Sequence, residues 1–148
     1  MEGFLKIGDT TFELNTSALY SKVGVMDSEE NEGTYMLAVN VTFQEGIYDG
    51  EEIKPDFGIY YYEMNVDDVS KMVGMSIEMN DRHQSIERED LVVLIENEAF
   101  EKYKINILGI ENDEMHVEMS GSIIKDIDKW PLETVDFYMD CWLVIDNI

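Results

Sequence analysis

The sequence contains few positively charged residues. Its 10 Lys and Arg residues stand against 33 Asp and Glu residues, so the formal net charge at pH 7 is −23. A surface this negative repels the phosphate backbones of nucleic acids and the headgroups of anionic membranes. We therefore expect no direct binding to nucleic acid and no binding to membranes. A basic protein is the partner that such a charge attracts.

Cysteine is nearly absent too, since Cys141 is the only one and no disulfide can form within the chain. A chain without disulfides is typical of a reducing compartment. The first residues, MEGFLKIGDTTFEL, show neither the basic start nor the apolar run of a secretory signal. No apolar stretch approaches the ~20 residues that a membrane-spanning helix needs. These features predict a cytoplasmic protein.

Motifs of known catalytic chemistry are missing as well. The sequence has no Gly-rich phosphate loop, no Cys-x-x-Cys pair, no His-Glu-x-x-His and no Gly-x-Ser-x-Gly. Cys141 falls on the apolar side of its segment, which favours a core residue over a nucleophile. We therefore expect a protein that is not an enzyme and that has no cofactor and no metal centre.

What the sequence does have is alternation of apolar and polar residues, the pattern of half-buried β-strands. The pattern is clearest in the segments 33–44, 74–80, 102–109, 114–124 and 135–146. The sequence therefore predicts a single β domain over residues 1–148, all-β with at most one or two short helical turns. The expected architecture is an antiparallel β-sandwich or an open barrel of roughly eight to ten strands.

Local signals refine this expectation. Glu111-Asn112-Asp113 predicts a hairpin that pairs residues 100–110 with 114–124. Asp67 or Asp68 is a suitable cap for a short helical turn over residues 69–72, and residues 15–21 are a second candidate. Residues 27–33 and 80–90 are strongly polar, which predicts solvated connections.

The candidate site is the polar side of the segment 135–146. Tyr and Trp supply large, stiff contact area at interfaces, and aspartates between them can pair with Arg or Lys of a partner. If 114–124 lies beside 135–146, two more side chains join the same surface. The predicted partner-binding residues are Asp136, Tyr138, Asp140, Trp142, His116 and Glu118. The alternative is that residues 127–134, with Trp130, fold over this surface and bury it.

We therefore expect an acidic, non-enzymatic protein that neutralises or chaperones a basic protein, as inhibitors and immunity proteins do. A small-ligand-binding barrel or sandwich is one alternative, motivated by ten methionines and the run Tyr60-Tyr61-Tyr62. A subunit of a larger assembly is another, because both sides of the segment 57–66 are apolar or aromatic. The row Glu114, His116 and Glu118 could hold a divalent metal or exchange protons.

Overall fold

The structure is a computed structural model that describes residues 1–17, 21–126 and 128–147, most of them in strands. The strands are β1 (Glu2–Ile7), β2 (Thr10–Glu13), β3 (Lys22–Asp27), β4 (Tyr35–Thr42), β5 (Gly46–Tyr48), β6 (Glu51–Ile53), β7 (Asp56–Glu63), β8 (Ser76–Met79), β9 (Leu91–Val93), β10 (Asn97–Glu111), β11 (Glu114–Ile124) and β12 (Thr134–Asn147). A 3₁₀ turn (Val69–Met72) and the helix α1 (Arg82–Glu87) lie between strands.

Seven of these strands close a barrel in the order β3, β4, β7, β9, β10, β11 and β12. Closure removes the free sheet edges that would otherwise pair with other chains. Six of the contacts between neighbours are antiparallel, whereas β12 returns to β3 as a parallel pair over Val144–Asn147. The all-β prediction is confirmed. Of the two expected architectures the chain adopts the barrel, and the barrel is closed.

Three strands extend this sheet beyond the barrel. The strand β1 pairs with β12 over Phe137–Trp142 and carries β2 on its other edge, while β8 pairs with β10. The strand β12 therefore changes neighbours along one edge, from β1 to β3. The strands β5 and β6 form a separate hairpin.

Large aromatic side chains fill the interior of the barrel. Phe57 packs edge-on against three rings, with centroids 6.2 Å from Phe43, 5.7 Å from Phe100 and 5.2 Å from Phe137. Each fully buried side chain of this size contributes on the order of 2–3 kcal/mol. Cys141 is also fully buried, and burial raises the pKa of its thiol to about 12. The prediction that Cys141 belongs to the core is confirmed.

The hairpin prediction at residues 111–113 is confirmed. Asn112 and Asp113 both have positive φ, 52° and 61°, and join β10 to β11 as a tight antiparallel pair. The turn at Val69–Met72 is confirmed too, because the side chain of Asp68 accepts a hydrogen bond from the backbone N–H of Ser70 at 2.9 Å. The second candidate turn, 15–21, lies partly outside the described residues.

The polar connection 80–90 differs from the expectation, because its centre is helical. The side chain of Asp81 caps α1 by accepting a hydrogen bond from the backbone N–H of His83 at 2.9 Å. One side of this short helix is buried through Ser85. The helix has only six residues and little apolar content, which explains why periodicity in the sequence gave no helical signal. Within the described residues, no helix is long and apolar enough to cross a membrane.

Candidate functional site

The two strands that carry the predicted site residues are direct neighbours. β11 and β12 pair antiparallel from Glu114 opposite Val144 to Ile124 opposite Thr134. Because successive side chains of a strand point to opposite sides of the sheet, one side of each strand faces the barrel interior and the other faces outward. The inward side chains are Met115, Val117, Met119, Phe137, Met139 and Cys141, and all of them are buried. The six predicted residues therefore lie together on the outward side.

His116 is at the centre of one group of contacts on this outward side. Its imidazole stacks on the indole of Trp142, with centroids 4.6 Å apart and planes inclined by 15°. The imidazole Nε2 also lies 2.8 Å from Oδ1 of Asp140 on the neighbouring strand. The outer end of the indole lies over Gly109 of β10, where an added Cβ would be 3.8 Å from Cη2 of Trp142. These contacts fix the orientation of the Trp142 ring.

A second group of contacts surrounds Glu118. The hydroxyl of Tyr138 donates to its Oε2 at 2.7 Å, and the amide of Asn106 donates to its Oε1 at 3.1 Å. These two hydrogen bonds hold the pKa of the Glu118 carboxyl below its usual value. The hydrogen bond between Tyr138 and Glu118 also favours the protonated phenol, and it raises the pKa of Tyr138 to about 12. Tyr138 therefore remains a neutral hydroxyl in a fixed orientation at physiological pH.

Asp136 lies further along β12 and takes no part in these two groups. It sits opposite Ser122, whose hydroxyl donates to Glu101 on the next strand at 2.6 Å. The Asp136 side chain is exposed, so it adds negative charge at the end of the surface.

The sequence missed the contribution of β1. Phe4 lies opposite Asp140, and Glu2 lies opposite Trp142. The Phe4 ring is 6.0 Å from the ring of Tyr138, and 37% of the residue is exposed. We define the acidic aromatic face as the outward side chains of Glu2, Phe4, His116, Glu118, Asp136, Tyr138, Asp140 and Trp142. The alternation in FLKI does place Phe4 on the polar side of its strand, but no local signal shows that β1 pairs with β12.

Trp142 separates two surface hollows. The first has a volume of about 380 Å³ and is lined by Glu2, Gly3, Phe4, Glu13, His116, Asp140 and Trp142. The second has a volume of about 460 Å³ and is lined by Met1, Glu2, Glu111, Asn112, Glu114 and Trp142. Both hollows therefore combine aromatic surface with several carboxylates, which is a chemical environment suited to cations.

The possibility that Trp130 covers this surface is not realised. Trp130 is 84% exposed, so its ring is not packed against another part of the protein. Tyr138 and Trp142 both remain half-buried. Trp130 belongs to the segment 127–134, and the structure describes every residue of this segment except 127. The Trp130 ring therefore does not cover the rings of Tyr138 and Trp142.

The reactive groups near this face do not resemble an activated catalytic set. The hydrogen bond that Tyr138 donates to Glu118 raises the pKa of Tyr138, and burial raises the pKa of Cys141, so both groups hold their protons more tightly than usual. His116 contacts Asp140 across the strands, whereas Glu118 is engaged by Tyr138. Over residues 1–17, 21–126 and 128–147, no three His, Cys, Asp or Glu side chains are arranged to hold a metal ion.

No protein-family model matches this chain, and neither a curated protein nor a solved structure is similar to it. The function has therefore to be inferred from the residues and geometry of the chain itself.

Proposed function

We propose that this protein is an acidic, non-enzymatic binding protein that uses the acidic aromatic face to neutralise or chaperone a basic protein partner. Inhibitors and immunity proteins act in this way. The partner lies in the cytoplasm in this proposal, in keeping with a single buried cysteine and no disulfide. Direct contact with nucleic acid or membrane forms no part of the mechanism.

One observation carries the proposal: the aromatic side chains of the face are held in place and still face outward. Trp142 is fixed by its stack on His116, and Tyr138 by its hydrogen bond to Glu118. A side chain that is already ordered loses little conformational entropy when a partner binds. Aromatic residues held in this way are typical of the residues that contribute most to protein interfaces.

The charge of the chain supports a basic partner over a neutral one. Even if every Lys and Arg paired with a carboxylate, 33 − 10 = 23 carboxylates would stay unneutralised. Several carboxylates surround the fixed rings, among them Asp136 and Glu2, Glu13 and Glu111 of the two hollows. Glu114 of the second hollow is paired with the N-terminal ammonium at 3.1 Å. Complementary charge raises the association rate and suppresses acidic competitors.

The packing of the interior argues against a small ligand bound inside the barrel. The centre of the barrel is occupied by Phe43, Phe57, Phe100 and Phe137, whose rings contact one another. A barrel filled with side chains has no central space for a ligand, unlike barrels that enclose one. The hollows beside Trp142 lie on the outer surface instead.

The test is capture of partners from a native lysate on immobilised protein, with four proteins compared in parallel. The wild type is compared with Trp142→Ala and Asp140→Asn on the face, and with Tyr60→Ala as a matched control. Tyr60 is 56% exposed on β7, away from the face, so its loss removes a similar aromatic surface. We expect one basic protein to bind to the wild type and the control, and to be lost from both face variants.

Salt supplies the second criterion. Binding based on exposed carboxylates weakens as ionic strength rises, because the Debye length falls from about 10 Å at 0.1 M to about 3 Å at 1 M. A partner retained equally by all four proteins would contradict the proposal. So would a partner whose retention is unchanged in high salt.

A further inference from the structure

The hollow on the β1 side of Trp142 has a regular arrangement of side chains. In the pairing of β1 with β12, Glu2 lies opposite Trp142, and two positions further along Phe4 lies opposite Asp140. The four positions thus form the corners of a rectangle, with the two aromatic residues on one diagonal and the two acidic residues on the other. Directly paired residues are about 5 Å apart at Cβ, and the two rows are about 6.6 Å apart.

Neighbouring strands extend both rows. Glu13 of β2 lies opposite Phe4 and adds a third carboxylate to the rim, and His116 of β11 lies opposite Trp142. Asp140 uses Oδ1 to contact His116, which leaves Oδ2 of the same carboxylate for another donor. The floor is the backbone of Gly3, where β1 comes so close to β12 that a Cβ would lie 2.6 Å from the carbonyl oxygen of Asp140.

This arrangement distinguishes between the two basic side chains. The guanidinium of arginine is planar, stacks on aromatic rings and presents several N–H groups that pair with carboxylates on more than one side. The ammonium of lysine is compact and strongly hydrated, so it pairs with a carboxylate but stacks poorly. A site with aromatic rings on one diagonal and carboxylates on the other offers a stacking contact and an ion pair at once. Of the two basic side chains, the guanidinium is the one that makes both contacts together.

We infer that this hollow, lined by Glu2, Phe4, Glu13, His116, Asp140 and Trp142, takes one arginine side chain of the basic partner and prefers it to lysine. The inference rests on the proposed function and names the residue type that the face recognises. The guanidinium lies between the rings of Phe4 and Trp142 and donates to Asp140 and Glu13, while Glu2 adds negative charge to the rim. The volume of about 380 Å³ is at the lower end of the range of about 300–1,000 Å³ for binding pockets, which suits a single side chain.

The experiment uses two short peptides, blocked at both ends, in which equal numbers of arginines or lysines alternate with glycine. Both are titrated into the full-length Trp130→Phe protein, so that Trp142 is the one remaining tryptophan. Its fluorescence reports contact at the hollow, and calorimetry gives the affinity. We expect the arginine peptide to bind about tenfold more tightly, a difference of about 1.4 kcal/mol that is in the range of a cation stacked on an aromatic ring. We also expect it to change the Trp142 emission.

Variants separate this preference from general attraction between opposite charges. Phe4→Leu removes one ring and leaves every charge in place, so we expect it to bring the arginine peptide close to the affinity of the lysine peptide. Glu13→Gln, a mild change on the rim, is compared with Glu29→Gln in the exposed loop between β3 and β4. Both remove one negative charge, and only Glu13→Gln should weaken arginine binding by severalfold.

The possible outcomes distinguish the inference from the proposed function. Equal affinity for the two peptides, with both weakened by Asp140→Asn, would overturn the arginine preference and leave the acidic aromatic face as a binding surface. Equal weakening by Glu13→Gln and Glu29→Gln would overturn the assignment of arginine to this hollow. No binding of either peptide would overturn both the inference and the proposed function. Melting temperatures of all variants establish that each one is folded before its affinity is compared.

Discussion

The barrel contains the same chemical pair, a tyrosine hydroxyl donating to a carboxylate, in two different settings. On the outer surface Tyr138 donates to Glu118 at 2.7 Å, and Glu118 remains close to solvent. In the other setting Tyr103 donates to Asp90 at 2.6 Å, and the Asp90 side chain is completely buried. The two hydrogen bonds therefore have nearly equal lengths, whereas the two carboxylates differ greatly in burial.

The buried pair belongs to a larger set of contacts. The hydroxyls of Tyr62 and Tyr103 lie 2.5 Å apart, and the guanidinium of Arg88 stacks over the Tyr62 ring at 3.4 Å. Arg88 also lies 3.5 Å from Asp90, which accepts from the backbone N–H of Tyr60 at 2.9 Å. These contacts attach the segment after α1 to β7 and β10.

The comparison teaches that burial decides what a tyrosine–carboxylate pair does. A buried carboxylate with its full set of donors stabilises the fold and has nothing left to offer a partner. The outer pair orients an aromatic ring while leaving that ring and the neighbouring carboxylates accessible.

Removing the buried carboxylate is expected to cost the most stability. Asp90→Ala leaves the charge of Arg88 and the hydroxyl of Tyr103 without their partner in the interior. Breaking a buried ion pair from one side typically lowers the free energy of unfolding by about 3–5 kcal/mol. Urea unfolding at pH 7 measures this loss, with Asp140→Ala as the comparison on the face. A loss below about 1 kcal/mol for Asp90→Ala would show that burial does not separate the two settings.

Removing the tyrosine hydroxyl from each pair compares the buried and the outer hydrogen bond directly. Tyr103→Phe leaves Asp90 without one of its donors in the interior, and we expect a loss of about 1–3 kcal/mol. Tyr138→Phe leaves Glu118 near water, which can replace the donor, and we expect a loss below about 1 kcal/mol. The two variants remove the same atom, so each serves as the control of the other in urea unfolding. The opposite order of stability would contradict the assignment of roles.

The alkaline pH dependence gives a third comparison. The pKa of Tyr138 is raised to about 12 by Glu118, and that of Tyr103 is raised further, mainly by burial. Tyrosines in the unfolded chain ionise near pH 10, so the contribution of each pair is complete below pH 10 and is lost as the pH rises above it. For Tyr138 this loss is complete at about pH 12.

Unfolding free energies from pH 9 to 11.5 measure this loss. One proton changes the slope by at most about 1.4 kcal/mol per pH unit. Tyr103→Phe is expected to flatten the slope by most of this amount, and Tyr138→Phe by less because solvent screens its site. Slopes identical to that of the wild type in both variants would contradict the hydrogen-bonding assignment.

The smallest effect concerns Glu118 in acid. Its folded-state pKa is lowered by the hydrogen bonds from Tyr138 and Asn106, so its contribution is present above the unfolded value near 4.3 and lost as the pH falls through the lower folded value. Glu118→Gln should reduce stability at pH 7 by less than about 1 kcal/mol and weaken the acid dependence. Thermal melts from pH 3 to 7 measure this, with Glu29→Gln as control. A steeper acid dependence in Glu118→Gln would contradict the sign.

Local pattern explains which parts of the structure the sequence could predict. Alternation placed Met139 and Cys141 inside and Tyr138 and Trp142 outside, because a strand's side-chain period is fixed by its backbone. The turn at Asn112 was readable for a similar reason, since few residues accept its positive φ. The six site residues were selected from such local signals. They share one face because β11 and β12, which follow each other in the chain, pair side by side.

The parts that the sequence could not predict depend on distant pairings or on burial of polar groups. The pairing of β1 with β12 joins opposite ends of the sequence, so Phe4 was not assigned to the site. The parallel pairing of β12 with β3 gives no periodic signal of its own. Asp90 lies in a polar segment, and because aspartates are mostly exposed, nothing nearby indicates that this one is buried.

The change of neighbours along β12 has an evolutionary consequence. Barrel closure uses the end of β12 against β3, whereas Glu2, Phe4 and Glu13 project outward from the β1–β2 hairpin, which lies beyond the closing strands. Substitutions at these three outward positions leave untouched the ladder that closes the barrel, and under the proposed function they change which partner is recognised. If the partner changes its sequence over generations, we expect the hairpin's outward positions to diverge first, while the strands that close the barrel stay the same.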